Sequence, residues 1–104
     1  MVNLRSFDLN LLVIFRSIMT RGSIAGAAED VGLSPSAVSH ALARLRVMMN
    51  DELFFRSANG VTPTERAREL SRDIERGLGF ISTAIAQQHQ FRPAEAERVF
   101  TMQV

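Results

Sequence analysis

The sequence predicts a mainly α chain: three short helices, one short β-hairpin and one long helix, in that order. Three observations carry the prediction. Apolar residues recur at steps of three and four along most of the chain, the period of a helix with one buried face. Glycines and serines fall where those stretches begin and end. A single Asn-Gly pair, Asn59-Gly60, lies between two short apolar runs, the strongest short signal for a hairpin. With 46% hydrophobic and 22% charged residues, the composition is that of a folded chain. A length of 104 residues suits one small domain and one further element.

The first helix is predicted over FDLNLLVIFRSIMTRG. Asp8 or Ser6 can cap its start, and Gly22 can end it in a left-handed conformation. Leu11, Leu12, Phe15, Ile18 and Met19 form an apolar stripe, expected to be core. The second helix, SIAGAAEDV, takes Ser23 as its cap. Ala25, Gly26, Ala27 and Ala28 make it thin, so another helix can approach closely. Gly32 ends it, and Leu33 is expected to turn back into the core.

The third helix follows at once, in LSPSAVSHALARLR. Ser34 is its cap and Pro35 its first residue, where a missing N–H costs nothing and a fixed φ suits a helix start. Val38, Leu42, Leu45 and Met49 make the buried stripe, while Ser36, Ser39, His40, Ala43 and Arg46 fall on other faces. Two strands are expected next, residues 53–56 and 61–62, closed by the Asn59-Gly60 turn. Thr62-Pro63-Thr64-Glu65 then has the pattern of a capping box, with Thr62 as cap and Pro63 at the first helical position.

The long helix is expected from about residue 63 to about 88. Ala67, Leu70, Ile74, Leu78, Ile81 and Ile85 alternate at steps of three and four. Glu65/Arg68, Glu69/Arg72 and Asp73/Arg76 are spaced to pair on the outside. Such a helix runs about 37 Å, more than the preceding residues can cover. Its stripe therefore calls for a partner, most simply a second copy of the chain. After Gln90, FRPAEAE reads as a linker, and RVFTMQV alternates like the start of a strand with no sheet to join.

Several function classes are excluded. Without cysteine there is no disulfide, thiolate chemistry or zinc finger. No apolar run approaches the roughly 18 residues of a membrane span, and MVNLRSFDLN lacks the apolar core of a signal peptide. A cytoplasmic protein that contacts no membrane is the default expectation. Neither a Ser/His/Asp arrangement, a Gly-rich phosphate loop nor a paired-carboxylate site is present. His40 and His89 are too far apart in sequence to suggest a metal site. Catalysis, metals and cofactors are not expected. Net charge is only +1, and all 12 basic residues are arginine, the better side chain for bidentate contacts to phosphate or guanine.

The second and third helices together point to a function. In IAGAAEDVGLSPSAVSHALARL, beginning at Ile24, Ala28 is fifth, Gly32 ninth, Leu33 tenth and Val38 fifteenth, with Leu42 further on. That is the spacing of a helix-turn-helix: a small residue under the crossing helix, a glycine in the turn and a branched plug between the helices. In such a unit the second helix enters the DNA major groove with its N-terminal residues against base edges. Pro35, Ser36, Ser39 and His40 are the candidate base contacts. Ser23, Ser34, Arg44, Arg46, Arg56 and Asn59 are the candidate phosphate contacts, the last two from a hairpin acting as a wing. The fold class is thus a winged helix-turn-helix of three helices and a hairpin, followed by a dimerisation helix. Leu70, Ile74, Leu78, Ile81 and Ile85 would form the dimer seam.

The order of segments resembles the LysR-type transcriptional regulators. The resemblance runs over residues 7 to 90. It rests on GS-x-x-x-AA, LS-x-x-x-VS, ARLR, LF-x-R and T-x-x-A in sequence, then a long helix. It implies a regulator roughly three times this length: a DNA-binding domain at 1–62, a linker and dimerisation helix at 63–90, and at 91–104 a hinge and the first strand of a ligand-binding domain. It also implies an interrupted palindrome as target, a dimer or tetramer as the binding form, and a small-molecule inducer held by that further domain. Many members carry Gln-Pro after the leading serine of the recognition helix and Ser-Arg further on; here those places hold Pro35-Ser36 and Ser39-His40. The other expectation to weigh is an assembly module with the same fold that binds no DNA. Serines and arginines on the exposed face of the third helix favour the DNA reading, since a protein-binding face would show aromatic or large apolar groups.

Overall fold

Three helices fill the first half of the chain in the computed structural model, which describes residues 3–91, with side chains to 88. They are α1 (Asn10–Arg21), α2 (Ile24–Val31) and α3 (Pro35–Met49). The hairpin strands are β1 (Phe54–Ser57) and β2 (Gly60–Pro63), and α4 (Glu65–Phe91) closes the described chain. The described residues divide into two compact units, one reaching Ile74 and the other starting at Glu75. The strand-like RVFTMQV segment and the expected hinge beyond Phe91 lie outside the described residues, while Phe91 itself ends α4.

Local chemistry sets each boundary. Gly22 and Gly32 stand at φ 69° and 70° and close α1 and α2 with N–H bonds to the Ile18 and Ala28 carbonyls. Ser23 accepts the Gly26 N–H, and Ser34 accepts the Ala37 N–H with Pro35 behind it, as expected of N-caps. The start of α1 differs from expectation. The helix begins at Asn10, and Asp8 holds the Asn10 N–H from two residues before it at 3.0 Å, while Ser6 instead donates to the Asn3 carbonyl.

The first unit is held by one apolar core. Phe15 and Ile18 of α1, Ala27 of α2, Val38 and Leu45 of α3, Leu53 and Ala67 are all fully buried. Leu11, Ile14, Ala28, Ala41, Leu42, Phe54 and Ile74 join them. Ile14 and Ala41 were absent from the expected stripes, whereas Leu12, Met19 and Met49 are only half-buried. The Phe15 and Phe54 rings meet at 5.4 Å, tilted by 48°. That contact ties the hairpin to α1, and each such ring contributes about 1.5–3 kcal/mol by burial. Leu33 does not turn inward. Its N–H closes on Ala28, but the left-handed step at Gly32 carries the side chain outward. It is 44% exposed and lines an open depression of about 710 Å³ with Asp8, Val13 and Asp30.

The hairpin pairs Phe54 with Pro63 and Ser57 with Gly60. The two turn residues are therefore Ala58 and Asn59, one place earlier than the Asn-Gly signal implied. Neither has positive φ; Gly60 does, at 131°. A Cβ there would collide with the Gly22 carbonyl oxygen, the oxygen that accepts the Val61 N–H at 3.0 Å. Gly60 thus serves two needs, its own positive φ at the end of the turn and the close approach to the end of α1.

The cap of α4 is also displaced. Thr62 and Pro63 belong to β2, so the expected boundary at 62/63 cuts that strand. Thr64 caps instead, accepting the Ala67 N–H at 3.0 Å and donating its hydroxyl proton to Asp51 at 2.8 Å. Asp51 also accepts the Leu53 N–H at 2.9 Å, and Thr64 donates its N–H to the Leu53 carbonyl. These bonds hold Leu53 at φ 64°, a left-handed position unusual for a γ-branched side chain. The Leu53 N–H and the Thr64 hydroxyl hold the Asp51 carboxyl below its ordinary pKa of 3.8. The three expected pairs on the outer face of α4 are not among the ion pairs shown for the described residues; Arg21 with Glu29 and Asp30 is.

Candidate nucleic-acid interface

The start of α3 is presented outward. Pro35, Ser36 and His40 are exposed and Ser39 is half-buried, while Val38, Ala41, Leu42 and Leu45 anchor the opposite face. Burying an aliphatic face while exposing short polar groups on the other is what allows a helix to lie in a groove without leaving its own domain. Its free N–H groups are few. Pro35 has none, the Ala37 N–H is taken by the Ser34 side chain and the Val38 N–H by the Ser34 carbonyl. The Ser36 N–H and the Ser34 hydroxyl remain to meet a phosphate.

Of the candidate phosphate contacts, the structure joins Arg56 to α3. Its guanidinium donates to the Ser39 hydroxyl oxygen at 3.3 Å, so the wing and the recognition helix share one polar edge. Asn59 is exposed at the wing's turn. Ser23 lies under the wing, next to the crossing of Gly60 over Gly22. Arg44 is 60% exposed and only loosely paired, 3.8 Å from Asp8. Arg46 is placed differently from expectation. Its Nε donates to the Glu52 carbonyl at 2.8 Å and a terminal N–H to the Phe54 carbonyl at 2.9 Å. It is the brace between the end of α3 and the start of the wing. A helix face alone could not reveal this, because the carbonyls it reaches belong to the following loop.

Charge is unevenly spread. From Leu33 to Asn50 and again from Leu53 to Thr64 there is no carboxylate, while Arg44, Arg46 and Arg56 lie within those stretches. Elsewhere acids and arginines balance, apart from Asp51 and Glu52. The small net charge thus conceals an excess of arginine on the two elements that Arg56 and Ser39 connect, with Asp8 3.8 Å from Arg44 and Glu52 3.5 Å from Arg46. The excess was readable from the sequence by summing charge element by element.

Along α4 the candidate seam residues separate into three groups by exposure. Ile74 is buried within the first unit at 7% exposure, which corrects its assignment to a dimer seam: its own chain already covers it. Leu70 and Leu78 are half-buried. Phe80, Ile81 and Ile85 are 77%, 55% and 51% exposed. Phe80 was missed because it sits one residue off the three-and-four rhythm. Among the described residues no helix is long and apolar enough to cross a membrane.

Comparison with known proteins agrees with this geometry. Residues 9–68 match the bacterial regulatory helix-turn-helix protein, lysR family. The HTH-type transcriptional regulator LeuO of Escherichia coli is 44% identical over 93% of this chain, which spans 31% of that protein. The crystal structure of a probable transcriptional regulator from Pseudomonas aeruginosa is 38% identical, with a TM-score of 0.75 over 82% of this chain and 28% of that one. The CbnR DNA-binding domain in its DNA complex shares the fold, at 19% identity and a TM-score of 0.72, over 81% of this chain and 97% of that one. These relatives are regulators rather than enzymes.

Proposed function

The chain belongs to the LysR family of bacterial regulatory helix-turn-helix proteins, and from that premise we propose that it binds a specific double-stranded DNA site as a homodimer. The observation that carries the reading is that α3 and the wing contain arginines and no carboxylate of their own, and that the Arg56–Ser39 contact joins the two elements. Ser36, Ser39 and His40, with Pro35 beside them, face base edges. Ser34, Ser23, Asn59, Arg44 and Arg56 face the backbone, and Arg46 braces the wing. The exposed apolar residues of the second unit, Ile81, Ile85 and Phe80, form the dimer seam with Leu78, and two copies read an interrupted palindrome. We assign the regulation of transcription, in the cytoplasm, to a longer protein in which this chain carries the DNA contact and a further domain answers a small-molecule inducer. Tetramers would arise from that further domain.

The test is a selection of bound sites from random duplexes, followed by titration of the enriched site against salt. Arg44 and Arg56 from two protomers neutralise four phosphates, so the log–log slope should be no shallower than about −3.6. A flat salt response, or no enriched sequence, overturns the proposal.

A further inference from the structure

We infer that Arg56 fixes Ser39 as a hydrogen-bond donor toward the DNA, so that the pair selects a base presenting an acceptor in the major groove. The inference rests on the DNA-binding reading above and adds the chemistry of one contact. A guanidinium has only donors, whereas a hydroxyl has one proton and two lone pairs. The 3.3 Å contact from Arg56 therefore obliges the Ser39 oxygen to accept. Its proton cannot point at the arginine. A helical serine usually has another course, donating back to the carbonyl four residues earlier. Here no such bond is formed among the described residues, and Arg56 is the partner the hydroxyl has. The hydroxyl proton is thus left for a group outside the chain.

The charge of Arg56 acts in the same direction. A cation beside the hydroxyl attracts base acceptors and repels exocyclic amino groups. Guanine O6 and N7, adenine N7 and thymine O4 suit the pair; the cytosine amino group does not. Ser39 is the residue that touches the base. Arg56 is a positioning residue, and its contribution to discrimination acts through the orientation of that hydroxyl, separately from any phosphate it meets. Both side chains lie at the surface of the first unit and neither is in the core, so replacing them should leave the fold intact.

The experiment compares the wild-type chain with Ser39→Ala, Arg56→Met and the double variant. Each is titrated against the duplex enriched by the wild type and against the three other base pairs at every half-site position. Circular dichroism melts check the fold. Ser39→Ala should lose discrimination at one position per half-site by about tenfold, the size of one hydrogen bond. Arg56→Met should weaken every duplex and also lose discrimination at that same position, because the hydroxyl proton is then no longer kept turned toward the base and the neighbouring cation that repels amino groups is gone. The double variant should discriminate no worse there than Ser39→Ala, the non-additivity expected of a coupled pair. If Arg56→Met weakens all four base pairs alike, Arg56 is a phosphate contact only and the inference fails while DNA binding stands. If Ser39→Ala leaves every position unchanged, Ser39 is not a reader and the inference fails likewise. A wild-type chain that enriches no site removes the DNA-binding reading itself, and this inference with it.

Discussion

Replacing Gly60 by alanine should unfold the wing from the body of the domain, and the structure allows the size of the effect to be worked out. Two costs combine. Gly60 stands at φ 131°, where a side chain adds strain of about 1–3 kcal/mol. The new Cβ also meets the backbone carbonyl of Gly22 rather than a movable side chain. Separating the two segments breaks the bond from the Val61 N–H to that oxygen, worth about 0.5–1.5 kcal/mol. The loss should be about 2–4 kcal/mol. At roughly 4–8 °C per kcal/mol for a domain of this size, the melting temperature should fall by about 8–32 °C. Gly32→Ala supplies the comparison. Its φ is 70° but nothing lies within 4 Å of an added Cβ, so only strain of about 1–2 kcal/mol applies. Thermal melts of both variants by circular dichroism decide the matter. If Gly60→Ala melts no lower than Gly32→Ala, the close approach of the wing to α1 is not what the glycine serves.

Three further outcomes follow from the same geometry. Ile81→Asp should convert a dimer to monomer in sedimentation velocity without lowering the melting temperature of the first unit, whereas Ile74→Asp should destabilise the fold by several kcal/mol by burying a carboxylate; equal melting of the two would overturn the division of the stripe. Arg46→Met should cost about 1.5–3 kcal/mol in urea unfolding, since two backbone carbonyls lose a charged donor, and a change under 0.5 kcal/mol would mean the brace is ornamental. The Asp51 pKa is lowered in the folded chain, so its contribution to stability is complete above the unfolded value of 3.8 and is lost as pH falls through the lower folded value. Urea midpoints of the wild type should therefore drop more steeply below pH 4 than those of Asp51→Asn, and parallel curves would exclude the Asp51–Thr64 bond as the cause.

Those residues also show what a sequence discloses and what it withholds. The caps at Ser23 and Ser34 and the left-handed stops at Gly22 and Gly32 were legible because each depends on residues within four places of itself. So was the helix-turn-helix, whose spacing is a local property of two consecutive helices. The misplaced elements depend on distant partners. Thr62 and Thr64 both precede a helix-forming stretch and both are cap residues; the pairing of Thr62 with Phe55 across the hairpin and the Asp51 carboxylate, thirteen residues before Thr64, decide between them. Gly60 was assigned to a turn because its true neighbour, Gly22, is remote in sequence. Ile74 and Ile81 occupy equivalent places on one stripe, and nothing in a helical period says where the chain's own cover ends.

The interface follows the same logic, and it bears on how a nearly neutral chain can recognise a polyanion. Affinity for DNA depends on cations near phosphate, and specificity on the direction of donors and acceptors at base edges. A net charge of +1 would argue against the first if charge were spread evenly. It is not, since α3 and the wing contain arginines and no carboxylates. Of the three arginines there, Arg46 is committed to backbone carbonyls, so on the proposed reading Arg44 and Arg56 would bear most of the electrostatic work. With so few cations, non-specific attraction is modest and discrimination must come from oriented hydrogen bonds. An arginine that serves phosphate and also directs a neighbouring hydroxyl meets both needs with one side chain. That economy requires the wing to stay where Gly60, Arg46 and Asp51 hold it, so if Arg56 directs Ser39 as inferred, the stability of the hairpin would be a determinant of base selection as well as of folding.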